Sequence, residues 1–407
     1  MSISALATPN IRSHVMNPVM FTLHESTGTA VKLVIEVFVE EVFDSNHFSP
    51  AGSFVEYLDS DENATFDISE ILRAYVTPAV FVAGEDNSPA EQVSGVCRWN
   101  IEVSSRDADN AELDTYELED QLVYYGGIVW EQWQGAHFFA DWLPVNKSFL
   151  TWQPNNQKVD LTTNSWVTWL AIEEVVGEFK LFVKLYFETG DPEILTDQPA
   201  FEATYQFSPF TFPCGYTNLG LAAHDSAENK IVKYDVWVQR AGIDEEFDTV
   251  DDEVMTEVRT YIIDRTYYRN KKKFAWSNTI GGIDSMLCTG NYINEYEYTG
   301  DEAIIYVAPN YHAIDGQREP FDNEEQGRFT ASTGWKTKKE IDHFRDALLS
   351  LKVTEDDGVQ FLPIAIERDT IRTFESNQKM FALQFVYKPL FKNKVYTGPG
   401  YDNTVRA

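Results

Sequence analysis

The oxygen-bearing side chains whose spacing comes nearest to a working site lie between Asp59 and Glu70. Asp59, Asp61, Asn63, Thr65, Asp67 and Glu70 stand at positions 1, 3, 5, 7, 9 and 12 of an EF-hand-like loop, where such oxygens converge on calcium. Calcium is therefore the one cofactor the sequence suggests, with Asp59, Asp61, Asn63, Asp67 and Glu70 as its ligands. Two features argue the other way. The sixth position is Ala64, where the sharp turn of that loop calls for glycine, and Ser53 to Leu58 ahead of it reads as well as strand as helix. The competing reading is a solvated acidic turn followed by a helix cap at Asp67 or Ser69.

Other reactive arrangements are sparse. The seven histidines, His14, His24, His47, His137, His224, His312 and His343, never take the His-Glu-x-x-His spacing of a zinc hydrolase. Glu173-Glu174 offers the two carboxylates that glycoside hydrolysis needs, but 65 acidic residues produce such pairs by chance. No Gly-x-Ser-x-Gly elbow occurs. Cys97, Cys214 and Cys288 are far apart and odd in number, which suggests buried thiols rather than a disulfide framework or zinc site. A catalytic constellation is not expected, and the chain reads as a non-enzyme.

The elements that would carry any site are mainly β. Arg269 to Asp284 is the organising corner: Asn278 favours a turn, Gly281-Gly282 supplies backbone freedom, and Ile283-Asp284-Ser285-Met286-Leu287 continues as a strand. A phosphate cradle would run from its glycines straight into a helix instead. Alternating apolar residues mark strands at 30–43, 97–103, 179–187 and 232–238, with a further strand at 148–156 ended by a turn. Tyr124 to Trp130 repeats the glycine pair of the corner. A short helix is expected near 68–76, stopped by Pro78. A longer one is expected near 338–351, with Thr337 and Glu340 as a capping box and Ile341, Phe344, Leu348 and Leu351 as its stripe, packed on strands 361–366 and 380–387. Three domains follow: 1–122, a β domain with the short helix; 123–213, a sandwich of immunoglobulin or fibronectin type; and 214–407, a β domain carrying the amphipathic helix.

Charge limits the partners. With 65 acidic and 32 basic residues the net charge is −33, which repels nucleic acid and anionic membranes. No apolar run reaches membrane-spanning length, and Met1 to Met20 shows no signal-peptide core, so synthesis in a cytoplasm is expected.

Tyr125-Gly126-Gly127, Phe149-Leu150-Thr151-Trp152-Gln153-Pro154-Asn155-Asn156, Ser277-Asn278-Thr279-Ile280-Gly281-Gly282-Ile283-Asp284 and Thr333-Gly334-Trp335-Lys336 follow one another in that order. This ordered set, over roughly residues 120 to 400, resembles tail structural proteins of tailed bacteriophages and prophages of Bacteroidota. The resemblance implies a non-enzymatic virion protein of the tail tip, baseplate, hub or fibre attachment. Its partners would be other tail proteins and further copies around the tail axis, and it carries over no catalytic residue. For such contacts the basic clusters Lys271, Lys272, Lys273 and Lys336, Lys338, Lys339 are the expected interface. The acidic run Asp244, Glu245, Glu246, Asp248, Asp251, Asp252, Glu253 is their leading candidate partner, against the alternative of solvated charge. A second function class is a lectin-like adhesin, with Trp130, Trp133, Trp142 and Trp152 stacking on host glycans if they are exposed rather than core.

Overall fold

The computed structural model describes residues 2–79, 89–133, 138–171, 177–195, 198–202, 207–242, 247, 252–306, 309–310, 318–357, 360–367 and 380–395. The protein is mainly β and divides into two compact units. The first holds Met1–Thr266, Ala275–Met286 and His343–Lys352; the second holds Tyr267–Phe274, Leu287–Asp342 and Val353–Ala407.

The first unit contains two pairs of sheets. In one pair, Ile3–Ala7, Met20–Glu25 and Asn63–Asp67 form a three-stranded sheet. It shares a core with a five-stranded sheet of Arg12–His14, Glu112–Tyr124, Val96–Arg106, Lys32–Glu40 and Phe48–Tyr57. Period-two alternation explains this: Leu33, Ile35, Val37 and Val39, with Trp99, Ile101 and Val103 on the neighbouring strand, all point inward and are buried. The helix expected near 68–76 is a single turn, Ser69–Leu72. Of the apolar positions at helical spacing, Ile68 and Leu72 are buried, while Tyr75, beyond that turn, is exposed.

In the other pair, Glu178–Phe187 and Ile231–Arg240 lie at the centre of a seven-stranded sheet, with Arg259–Ile263 and Gln157–Val159 beyond the latter. It shares a core with Trp166–Leu170 and Pro209–Pro213, joined at its edge by Ala90–Glu91. One core therefore runs from Phe149 to Ile263, and the expected boundary at 213 falls inside it. The expected boundary near 122 is crossed as well: Phe43, Val96 and Leu122 share a cluster with Phe138, Leu150 and Leu170, and Ala90–Glu91 pairs with Pro209–Pro213. A bulge between Tyr186 and Phe187 explains why Val232 is exposed although its alternation suggested burial, since Ile231 is turned inward in its place.

In the second unit, Val353–Asp356, Phe361–Ile366, Gln384–Pro389, Arg318–Ser332 and Tyr292–Ile304 follow one another in an antiparallel sheet. The helix spans Lys338–Leu349, and the division between units falls within it. Thr337 and Glu340 bond reciprocally at its start, Thr337 Oγ1 and N–H donating to Oε2 at 2.8 Å. Leu351 lies past the helix and is exposed, contrary to its place in the expected stripe. Within the first unit, Phe344 packs edge-on to Trp276 at 5.9 Å, while His343 and Asp346, formally on the polar face, are buried as well.

A buried imidazole gives the first unit a pH dependence. His14 lies 4.9 Å from Phe138 and 4.5 Å from Phe139, its Nε2 without a partner, and burial lowers its pKa from 6.5 to about 3. Between those values the unfolded chain takes up a proton that the fold excludes, so stability falls as pH drops below 6.5. From pH 7.5 to 5 this group costs about 2 kcal/mol. Urea unfolding of His14→Leu across that range should lose that part of the slope, and an unchanged slope would contradict the assignment.

Candidate interaction surfaces

The acidic loop does not form a calcium cage. Asp59 closes a tight turn, its Oδ1 accepting the N–H of Asp61 at 2.8 Å and of Asn63 at 2.9 Å. Asn63 through Asp67 then extend as a strand, so ligands two residues apart are carried away from one another at about 3.3 Å per residue. Asn63 bonds His24 at 3.1 Å, Asp67 accepts the N–H of Val19 and of Ser69, both at 2.9 Å, and Glu70 pairs with Arg73. The geometry is that of an acidic turn, but the helix N-cap is Ile68, without a side-chain cap bond, and neither Asp67 nor Ser69 holds that position. Among the described residues no group of three or more His, Cys, Asp or Glu could hold a metal.

The lysine clusters are largely paired at home. Lys272 bonds Glu355 and lies 4.4 Å over the ring of Tyr292, and Lys273 is 4.0 Å from Asp356. Lys336 is buried, 3.7 Å from Glu340, and Lys338 is 3.3 Å from Asp342. Lys271 and Lys339 are exposed. Reversing Lys272 and Lys273 would break pairs inside the second unit. Asp244, Glu245, Glu246, Asp248, Asp251, Glu173, Glu174, His137 and His312 lie outside the described residues. Asp252 and Glu253 accept hydrogen bonds from Gln239 and Arg240. The three thiols are buried, and burial pushes each up to about 12.

One buried cluster has the residue types of a hydrolase. Thr151 Oγ1 donates to Asp284 Oδ1, and His343 Nε2 lies 3.0 Å from Asp284 Oδ2. The order is wrong for catalysis, because the imidazole must stand between hydroxyl and carboxylate to take the proton. Asp346 completes the cluster, accepting the Trp276 indole N–H at 3.0 Å; burial first, then the negative charge of Asp284, raises its pKa. His343 and Asp284 side chains are 1 % and 0 % exposed, so no substrate reaches them. The cluster fixes the corner.

What it fixes is an interlock of the two glycine pairs. Gly127 donates its N–H to Thr279 O at 2.6 Å. Asn278 Oδ1 accepts the N–H of Gly282 at 2.7 Å, and its Nδ2 donates to Leu150 O at 2.7 Å. A Cβ on Gly282 would stand 2.1 Å from Leu150 O, and one on Gly126, where φ is +122°, 2.6 Å from Thr279 O. The stretch 148–156, expected as a strand ended by a turn, is irregular here: Leu150 gives its N–H to Thr168 O at 2.7 Å, but its carbonyl serves the Asn278 side chain.

Two surfaces emerge. Beside the interlock is a groove of about 300 Å³ lined by Met16, Gly127, Val129, Gln132, Trp152 and Leu349. Trp152 is 39 % and Trp130 56 % exposed; Trp130 stacks on Trp133 at 5.1 Å and Trp142 lies 5.4 Å from Trp152. Unlike Trp99, Trp166 and Trp276, none of these four is fully buried, although Trp142 packs partly against the cluster of Phe138, Leu143 and Leu150. The second surface is an arm. Tyr292–Ile304 and Arg318–Ser332 pair along their length, but Gln384–Pro389 supports only Phe329–Ser332, with Asn393 bridging Glu325. Every residue from Ile293 to Ile304 is exposed. In sequence, Tyr292, Tyr296 and Tyr298 alternating with Glu295 and Glu297 is a period-two signal of this strand.

No protein-family model matches the chain, and no curated protein matches its sequence.

Gly282→Ala should destabilise the first unit by about 3 kcal/mol, because the Leu150 carbonyl has no room to retreat. Gly95→Ala, whose new Cβ would meet its nearest atom at 3.7 Å, should stay within about 0.5 kcal/mol. Equal losses in chemical denaturation would show that close approach is not what the corner requires.

Proposed function

We propose that this chain is a non-enzymatic structural protein of a phage tail, an assembly or adaptor component at the tail tip, baseplate, hub or fibre attachment. The observation that carries the reading is the arm. A two-stranded ribbon with both faces in water is marginal by itself, so 13- and 15-residue strands of this kind make physical sense when another protein completes them. The tail context comes from the resemblance of the ordered segments around Gly126, Leu150, Gly282 and Gly334. On this reading the paired sheets of the first unit are immunoglobulin- or fibronectin-like modules. Copies arranged around the tail axis must meet through surfaces where a net charge of −33 is locally offset.

The exposed tryptophans favour a second reading, a carbohydrate-binding adhesin in which Trp130 and Trp152 stack on sugar rings. Protection of their fluorescence from acrylamide by host polysaccharide would support it, and unchanged quenching would remove it. Immunogold labelling of purified tailed particles tests the first reading. Label confined to one region of the tail is expected; particles without label, from lysates that contain the protein, would refute it.

A further inference from the structure

The outer edge of the arm is the strand Tyr292–Ile304, and among the described residues no other strand pairs with it. Ser332 donates to Asn291 O, and the register then sets Ile293 opposite Thr330 and Glu295 opposite Arg328. In an antiparallel ladder alternate residues turn their amides toward the partner, so Ile293 and Glu295 bond inward while Asn294 and Tyr296 direct N–H and C=O outward. Natural edges are blunted by charged side chains, above all lysine, by proline or by bulges; this strand contains neither lysine nor proline, and its one irregularity, between Thr299 and Asp301, lies beyond the stretch Ile293 to Tyr298.

Its two faces differ in chemistry. Tyr292 and Tyr296 both contact the ring of Phe329, which defines an aromatic face. Glu295 and Glu297 both approach Arg328 on the opposite face, at 3.6 and 3.8 Å. Over the two strands of the arm, eight carboxylates stand against two arginines, Arg318 and Arg328. A second copy pairing edge to edge would set carboxylate against carboxylate, which is unfavourable directly across a ladder.

We propose that the edge strand Tyr292–Ile304 is completed by β-augmentation with an extended segment of a different protein. That segment alternates lysine or arginine, facing Glu295 and Glu297, with apolar or aromatic residues, facing Tyr296. The inference rests on the assembly reading above, but its test needs no particle. A failed peptide result with labelled tails removes this occupant alone, whereas a positive one with unlabelled tails removes the tail and leaves the edge.

The test uses the full chain and a synthetic peptide alternating lysine with valine, followed by fluorescence anisotropy and hydrogen exchange. The peptide should bind, less tightly at high salt, and slow the amides of Asn294 and Tyr296. Asn294→Pro removes an outward N–H that the arm's own ladder does not use, and should weaken binding at least about tenfold. Three results would overturn the proposal. One is no protection of those amides; another is equal binding of a peptide alternating glutamate with valine. The third is protection of the same amides in a concentration-dependent dimer of the chain alone, which would assign the edge to a second copy.

Discussion

Where Gly126-Gly127 passes Thr279 to Gly282, two backbones run closer than any β-carbon permits, and the folded first unit depends on that contact. The Thr279 carbonyl receives the Gly127 N–H, Asn278 ties the turn to Leu150, and Gly281 at φ +91° would place a Cβ 2.7 Å from Tyr125 O. Three segments distant in sequence are thereby fixed at one point. A buried polar cluster holds the same point from the other side, with Asp284 between Thr151 and His343 and with Asp346 on the Trp276 indole. Each of those groups is satisfied, so the network specifies one arrangement of corner and helix rather than a site for chemistry.

The two halves of the functional account differ in how completely their interactions are satisfied. In the first unit the long strands bury one face each, and apolar area removed from water stabilises them at about 25 cal/mol per Å². The arm has no such return over most of its length. Its carboxylates are partly offset from within, Glu297 and Glu367 by Lys388 and Arg328, Glu324 by Lys392. The backbone edge is not offset, and an open edge recruits a strand. Lys272 and Lys273 offset part of the acidic charge of the second unit from within, against Glu355 and Asp356.

Much of the fold was legible in the chain. Leu33 to Val39 alternate cleanly because one face of the strand is buried, and Phe179 to Leu185 do so except at Phe182, which is buried on the opposite face against Trp237. Thr337 and Glu340 bond as a capping box because that geometry is local. The Gly126-Gly127 and Gly281-Gly282 pairs were visible as echoes of each other, but that they touch is a long-range fact that no local pattern contains. For the same reason the limit at 213 misled: Glu178–Phe187 pairs with Ile231–Arg240 across it. The acidic spacing from Asp59 to Glu70 matched a calcium loop in one dimension, yet a strand cannot curl its oxygens onto one ion. The arm escaped notice because its apolar residues are few and its register is written in tyrosine and glutamate.

The interlock fixes the first unit by itself, and the arm of the second unit is proposed to be completed by another protein. Hydrogen exchange compared between the isolated chain and the chain within purified assemblies tests this most directly. Gly127 and Gly282 amides should exchange equally slowly in both states, while those of Asn294 and Tyr296 should be fast in isolation and slow in the assembly. Arm amides that exchange at the same rate in both states, or corner amides that become slow only on assembly, would contradict it.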